Sequence, residues 1–276
     1  MAEDLNRAVA ERPALPPAET EPLRREGAQA PRRSVFLGRF RLVYALLAIV
    51  LGAAVGGFVV LSREGDDDVS GNRWSSWQPE GTPPERASEI ARFVPRRYRL
   101  ESGKQLVVVS VERPPRVQEV PVKYVALAAG NTEQDIHLLS TDDTVAYVLC
   151  GLGRNCAIRE GKPTVARAAL VRREALELAL YTFKYVGDVG SVVAFLPPSP
   201  GDRPRYALFF QEHDLGAALD RPLWRTLAPR RVFTPSSLKP GEAGAIRRYV
   251  DRHLFRYSFG QAADGSVFLA LRPLPL

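Results

Sequence analysis

Leu42 to Leu61 reads LVYALLAIVLGAAVGGFVVL, twenty residues without one charged side chain. At about 1.5 Å per residue a helix of that length is about 30 Å long, the thickness of a bilayer's hydrocarbon core. Within lipid the backbone must satisfy its own hydrogen bonds, so the run predicts a transmembrane helix despite its glycines. A cleaved signal peptide is the alternative. The tail of about forty residues before it, and an apolar core longer than the usual ~7–15, favour an uncleaved anchor. Gly52 and Gly56 form a GxxxG and Ala48 extends the small-residue row. Such a row lets two helices approach closely, so Ala48, Gly52 and Gly56 are the candidate helix–helix contact of a homodimer.

Past the span the pattern changes from continuous to alternating. Gln105–Glu112 (QLVVVSVE), Val122–Ala128 (VKYVALA), Thr144–Leu149, Ser191–Leu196 (SVVAFL) and Arg205–Gln211 (RYALFFQ) are β-rich runs. The Pro-rich link Arg113–Pro121 makes the first two a hairpin with a long loop. Leu254–Phe259 and Ser266–Arg272 frame a second hairpin around Asp264-Gly265, a strong turn pair. Helical patterns fall at Glu85–Phe93, after Asp214, at Pro222, and over Pro240–Arg252. The strongest helix opens at Pro163-Thr164 and runs from Val165 to about Val186. On its wheel Arg167, Arg173, Glu174, Glu177 and Lys184 gather on one side, and alanine, leucine and phenylalanine fill the other. Arg172 falls within the apolar side, as a snorkelling residue would. Strands interspersed with few helices predict an α+β fold, with a mostly antiparallel sheet and a few packing helices.

These patterns divide the chain into a disordered Pro/Arg-rich tail (1–41), the span (42–61), a polar stalk (62–84) and an α+β domain (85–276). Six arginines (24, 25, 32, 33, 39 and 41) lie in the stretch from residue 24 to the span, and only Arg63 and Arg73 follow it as far as Glu80. That bias places the tail in the cytoplasm and the domain outside the plasma membrane. Trp74 and Trp77 in the stalk belong either near the headgroups or against the domain.

The formal charge of +7 is carried mostly by arginine, with lysine only at 104, 123, 162, 184 and 239. Its arginine pairs are dispersed and lack the interleaved aromatics of a nucleic-acid platform, which argues against nucleic acid as a partner. Anionic envelope polymers or lipid headgroups are the electrostatic alternative.

Both cysteines lie in Cys150-Gly-Leu-Gly-Arg-Asn-Cys156. Gly151-x-Gly153-x-x-Cys156 imitates a dinucleotide loop, but its third glycine is missing and no helix starts there. Pro163 stands after Gly161-Lys162 where a phosphate loop needs Ser or Thr. Five residues between the cysteines do not suit a redox pair, and His137, His213 and His253 are too scattered for a metal site. A structural disulfide between Cys150 and Cys156 is the remaining reading, suited to an oxidising envelope. Asp66-x-Asp68-x-Ser70-Gly71 starts like a calcium loop, but Trp77 stands where the closing carboxylate belongs.

No cofactor, metal or catalytic residue is therefore assigned. The sequence predicts a non-enzymatic interaction or assembly module of a bacterial cell envelope, with the bilayer and envelope proteins as partners. Two alternatives stay open. One is an envelope hydrolase assembled from distant residues, around His213 with Asp214 and Glu212, or around His137. The other is a ligand-sensing domain signalling through the span.

Overall fold

A computed structural model describes residues 73–117, 119–128 and 135–274. The expected tail, the span Leu42–Leu61 and the small-residue row at Ala48, Gly52 and Gly56 lie outside the described residues. Among the described residues no helix is long and apolar enough to cross a membrane.

The elements run α1 (Pro83–Phe93), β1 (Val108–Glu112), β2 (Arg116–Val117), β3 (Val120–Ala128), β4 (Ile136–Ser140) and β5 (Thr144–Cys150). They continue with α2 (Val165–Tyr185), β6 (Ser191–Phe195), β7 (Tyr206–Gln211), α3 (Glu212–Leu219) and α4 (Leu223–Thr226). The last are α5 (Pro240–Val250), β8 (Leu254–Gln261) and β9 (Val267–Pro273). All nine strands form one mixed sheet in the order β1-β5-β6-β7-β8-β9-β3-β2, with β4 beside β3. β5/β6 and β3/β9 are parallel and the other six pairings antiparallel.

The predicted hairpin of β8 and β9 forms, with Gln261 opposite Val267 across the Asp264-Gly265 turn. The hairpin expected between the first two strands does not. β1 pairs with β5, while β3 pairs with β2, β4 and β9. The Pro-rich link carries the chain from one end of the sheet to the other.

That link fixes the shape of the sheet. Eight strands laid flat, about 4.8 Å apart, would put β1 and β2 about 34 Å from each other. Yet only three residues, Arg113 to Pro115, separate them, a reach of at most about 14 Å. Three more residues, Thr141 to Asp143, join β4 at one end to β5, next to β1 at the other. The sheet must curl until its ends approach, close to a barrel. Side chains alternate accordingly. Val125, Ala146, Val193, Phe209, Phe255 and Leu269 pack together on one face. Tyr147, Val192, Ala194, Leu208 and Phe210 point the other way, into the core shared with the helices.

α2 is the axis of that helical layer. Thr164 caps its start, its Oγ1 accepting from Arg167 N at 3.1 Å. It packs on β6 and β7, and α1, α3 and α5 pack against it in turn. Both sides of α2 are therefore covered, and the expected polar face is corrected: Arg167, Arg173, Glu174 and Glu177 are all buried. Arg172, expected to snorkel from the apolar side, is part-exposed and pairs with Asp251 at 3.4 Å.

Packing also begins ahead of Glu85. Trp74 is buried edge-on to Tyr181 (5.6 Å) and Tyr185 (5.7 Å), and Trp77 stacks on Phe93 at 3.8 Å. Of the two places open to these tryptophans, they occupy the one against the domain.

Candidate functional site

A cavity of about 310 Å³ opens between α2, α4 and the segment around Trp74. Its polar lining comes from Arg73, Arg97, Arg173 and Glu177, and its apolar lining includes Trp74, Tyr181, Trp224 and Phe233. Four separate stretches deliver these groups, one of them Arg73–Ser76. α2 presents Arg173, Glu177 and Tyr181 at helical spacings of four, so they stack along one stripe. A 3₁₀ turn after α1 (Val94–Arg97) places Arg97 and Tyr98 beside that stripe. The chain after α4 supplies Ala228 and Phe233.

Arg173 is 1% exposed and nearly every donor is engaged. Nε donates to Glu242 Oε1 at 3.0 Å, and Nη2 to the Ala228 carbonyl at 2.8 Å. Nη1 donates to Glu177 Oε2 at 3.1 Å and to the Tyr98 hydroxyl. The guanidinium also lies 3.6 Å from the centre of the Phe233 ring. Glu177 accepts in addition from the Tyr98 hydroxyl and from Arg97 Nη2. Arg230 reaches Glu242 Oε2 at 2.9 Å from outside. A buried charge without a partner costs several kcal/mol, so this mutual satisfaction is what allows five charges to sit here.

Burial shifts the titrating groups as desolvation requires. It pushes the Tyr98 hydroxyl well above its usual range, against the pull of Arg173. It raises Tyr181 to about 12, with the Glu177 charge adding to it. It lowers the Arg173 guanidinium, but Tyr98, Glu177 and Glu242 outweigh that and leave it raised. Glu174, beside Arg173 in sequence, is fully buried, and burial holds its carboxyl well above the ordinary range, with the Glu177 charge reinforcing it.

Arg97 is the exception to this closed set. Its side chain is 24% exposed and carries one carboxylate partner, Glu177. Its Nε is buried without an acceptor, as is Trp74 Nε1. The Phe93 ring backs its guanidinium at 4.9 Å.

The residues singled out from sequence lie elsewhere. Cys150 and Cys156 are at disulfide distance, with Cα atoms 4.3 Å apart. Gly151 N donates to the Cys156 carbonyl at 2.8 Å and Gly153 N to Ala157 at 2.8 Å, closing the loop on itself. A Cβ on Gly151 would fall 2.5 Å from the Ile158 backbone, so that position has no room for a side chain. His213 Nε2 lies 3.5 Å from Asp214 Oδ1, and His253 Nδ1 lies 3.6 Å from Oδ2. Asp214 Oδ2 also accepts from Gln211 N at 2.8 Å, so this carboxylate closes the start of α3. Burial lowers His253, which is tilted over Phe210 at 5.2 Å. His137 stands on β4, exposed and away from both. Among the described residues no three His, Cys, Asp or Glu side chains are arranged to hold a metal.

Sequence reasoning passed over the cavity because it sought imidazoles, hydroxyls and thiols. The signal present was Arg173 and Glu177 four residues apart in a helix otherwise rich in alanine and leucine.

The fold and cavity define a mixed-sheet protein with an arginine- and aromatic-lined pocket beside α2, the longest helix among the described residues. No family model matches the chain, and no curated protein or solved structure matches it either.

Proposed function

We propose that the chain is a non-enzymatic interaction module of the bacterial cell envelope, and that it works by binding in the cavity beside Trp74. In this reading Leu42–Leu61 anchors it in the plasma membrane, with the N-terminal tail cytoplasmic and the residues after the span outside. The charge-free run and the arginine bias support the anchor. Tethering then serves to raise the effective concentration of whatever the cavity holds near the membrane.

The observation that carries binding, rather than hydrolysis, is the bonding of Glu177. It accepts from Arg97, Tyr98 and Arg173 together. A carboxylate held by three donors, two of them cationic, serves to hold the shape of a pocket rather than to take up a proton. Trp224, 55% exposed at the lining, is the kind of large aromatic that binding sites present.

A photo-crosslinking amino acid with an aromatic side chain at position 224, which keeps a ring at that wall, tests this in intact cells. Mass spectrometry of the peptide bearing that position should show a discrete added mass. The same substitution at Asp202, in the exposed loop after β6, should not. Equal labelling at both sites, or none at 224, would overturn the reading.

A further inference from the structure

The reading above makes the cavity a binding site, and its charge and walls narrow what it takes. Around it three guanidinium groups, Arg97, Arg173 and Arg230, face two carboxylates, Glu177 and Glu242. One positive charge is in excess, and Arg73 at the lining adds a second. Even with the buried Glu174 counted as charged, one positive charge remains in excess. Of the three guanidinium groups with carboxylate partners, Arg97 has the least engaged donors. A half-buried cation with one partner and an orphaned Nε is an unfinished bonding set, which oxygens of an anion would complete.

Volume and walls add the second half. About 310 Å³ is the liquid volume of roughly ten water molecules, far more than a bare inorganic anion fills. Beyond the charged groups and the polar Ser75 and Ser76, the lining includes Trp74, Tyr181, Leu223, Trp224 and Leu227, a surface for flat apolar groups. Arg225 lies 5.1 Å over the Trp224 ring and adds positive charge next to it.

We infer that the cavity binds a small organic oxyanion, its carboxylate or phosphate on Arg97 and its flat apolar body among Trp74, Tyr181 and Trp224. This rests on the cavity being the binding site. It goes further by naming a charge, a size and a shape.

Titration of the full chain in detergent, followed by tryptophan fluorescence, tests it with four probes: phenyl phosphate, benzoate, inorganic phosphate and benzyl alcohol. At least one of the aromatic anions should saturate below about 1 mM. Arg97→Gln should weaken that binding by about ten- to a hundredfold, the worth of a hydrogen bond to a charged group. Trp224→Ala, at an exposed position that spares the core, should also weaken it, and it carries the test if Arg97→Gln lowers the melting temperature sharply. Inorganic phosphate binding as tightly as phenyl phosphate would overturn the inference, because the walls would then contribute nothing. Benzyl alcohol matching benzoate would overturn the role of charge. Saturation by none of the four would overturn the inference outright. A discrete adduct at position 224 in cells, with no aromatic anion bound, would sink the ligand class and leave the binding role standing.

Discussion

Glu174 is the residue least at ease in this fold. Its side chain is fully buried and neither carboxylate oxygen has a hydrogen-bond partner. Burial raises its pKa above the ordinary 4.5, so in a rising pH range the native state keeps a proton that the unfolded chain has released. Stability therefore falls as pH climbs past about 4.5, by up to about 1.4 kcal/mol per pH unit for one proton. Glu174→Met fills similar space without the two orphaned oxygens. It should stabilise the protein by about 1–3 kcal/mol at pH 7. The gain should shrink towards pH 4, as read by urea unfolding at several pH values. A gain that stays constant or grows as pH falls would refute this account. The helical wheel did separate Arg173, Glu174 and Glu177 from the apolar side of α2. It placed them in water because a wheel describes one helix and says nothing of what covers its far face. Here α1 and α5 cover it.

Among the elements, the loop between β5 and α2 was the most legible. Glycines between two cysteines, with no helix and no third ligand nearby, pointed to a closed turn, and the two sulfurs are within bonding distance. Cys150 and Cys156 should resist thiol labelling before reduction in protein taken from its native compartment, and labelling of both without reductant would contradict that. Cys150→Ser should cost about 2 kcal/mol, the chain-entropy value for so short a loop, measured as a shift in the unfolding midpoint. β4 was the element the sequence hid. Ile136-His-Leu-Leu-Ser140 lacks period-two alternation because it is a sheet edge, with Ile136 44% and Leu138 66% exposed. An edge strand borrows its register from its partner β3 rather than from an apolar face of its own.

At the scale of the whole molecule, the existence of most strands was readable and strand order was not. Alternation reports which side of a residue is buried, whereas the order here depends on two short links that return the chain across the sheet. Neighbouring runs in sequence suggested the hairpin of β1 with β3, and only the curl of the sheet explains why β5 takes that place. Membrane topology belongs to this scale as well. A reporter active only outside the cytoplasm, fused after Leu276, should be active in cells. A cytoplasmic reporter in the same place should be silent. The reverse pattern would remove the tethered reading while leaving the cavity untouched.

β9 is the last strand in chain order, yet it lies inside the sheet, between β8 and β3. Until it arrives, β1-β5-β6-β7-β8 and β2-β3-β4 share no strand pairing, and Val125, Leu269 and Phe255 lack the neighbours that bury them. A chain emerging from the ribosome or a translocon with its N-terminal end first would therefore hold two incomplete sheets with open edges. It joins them only when residues 267–273 are released. Non-local pairing of that kind is slow and exposes strand edges to wrong partners. The position of one strand thus sets the timing of the fold: the closing piece is made after every strand it joins, and the time spent waiting for it is the interval in which a chaperone has something to hold.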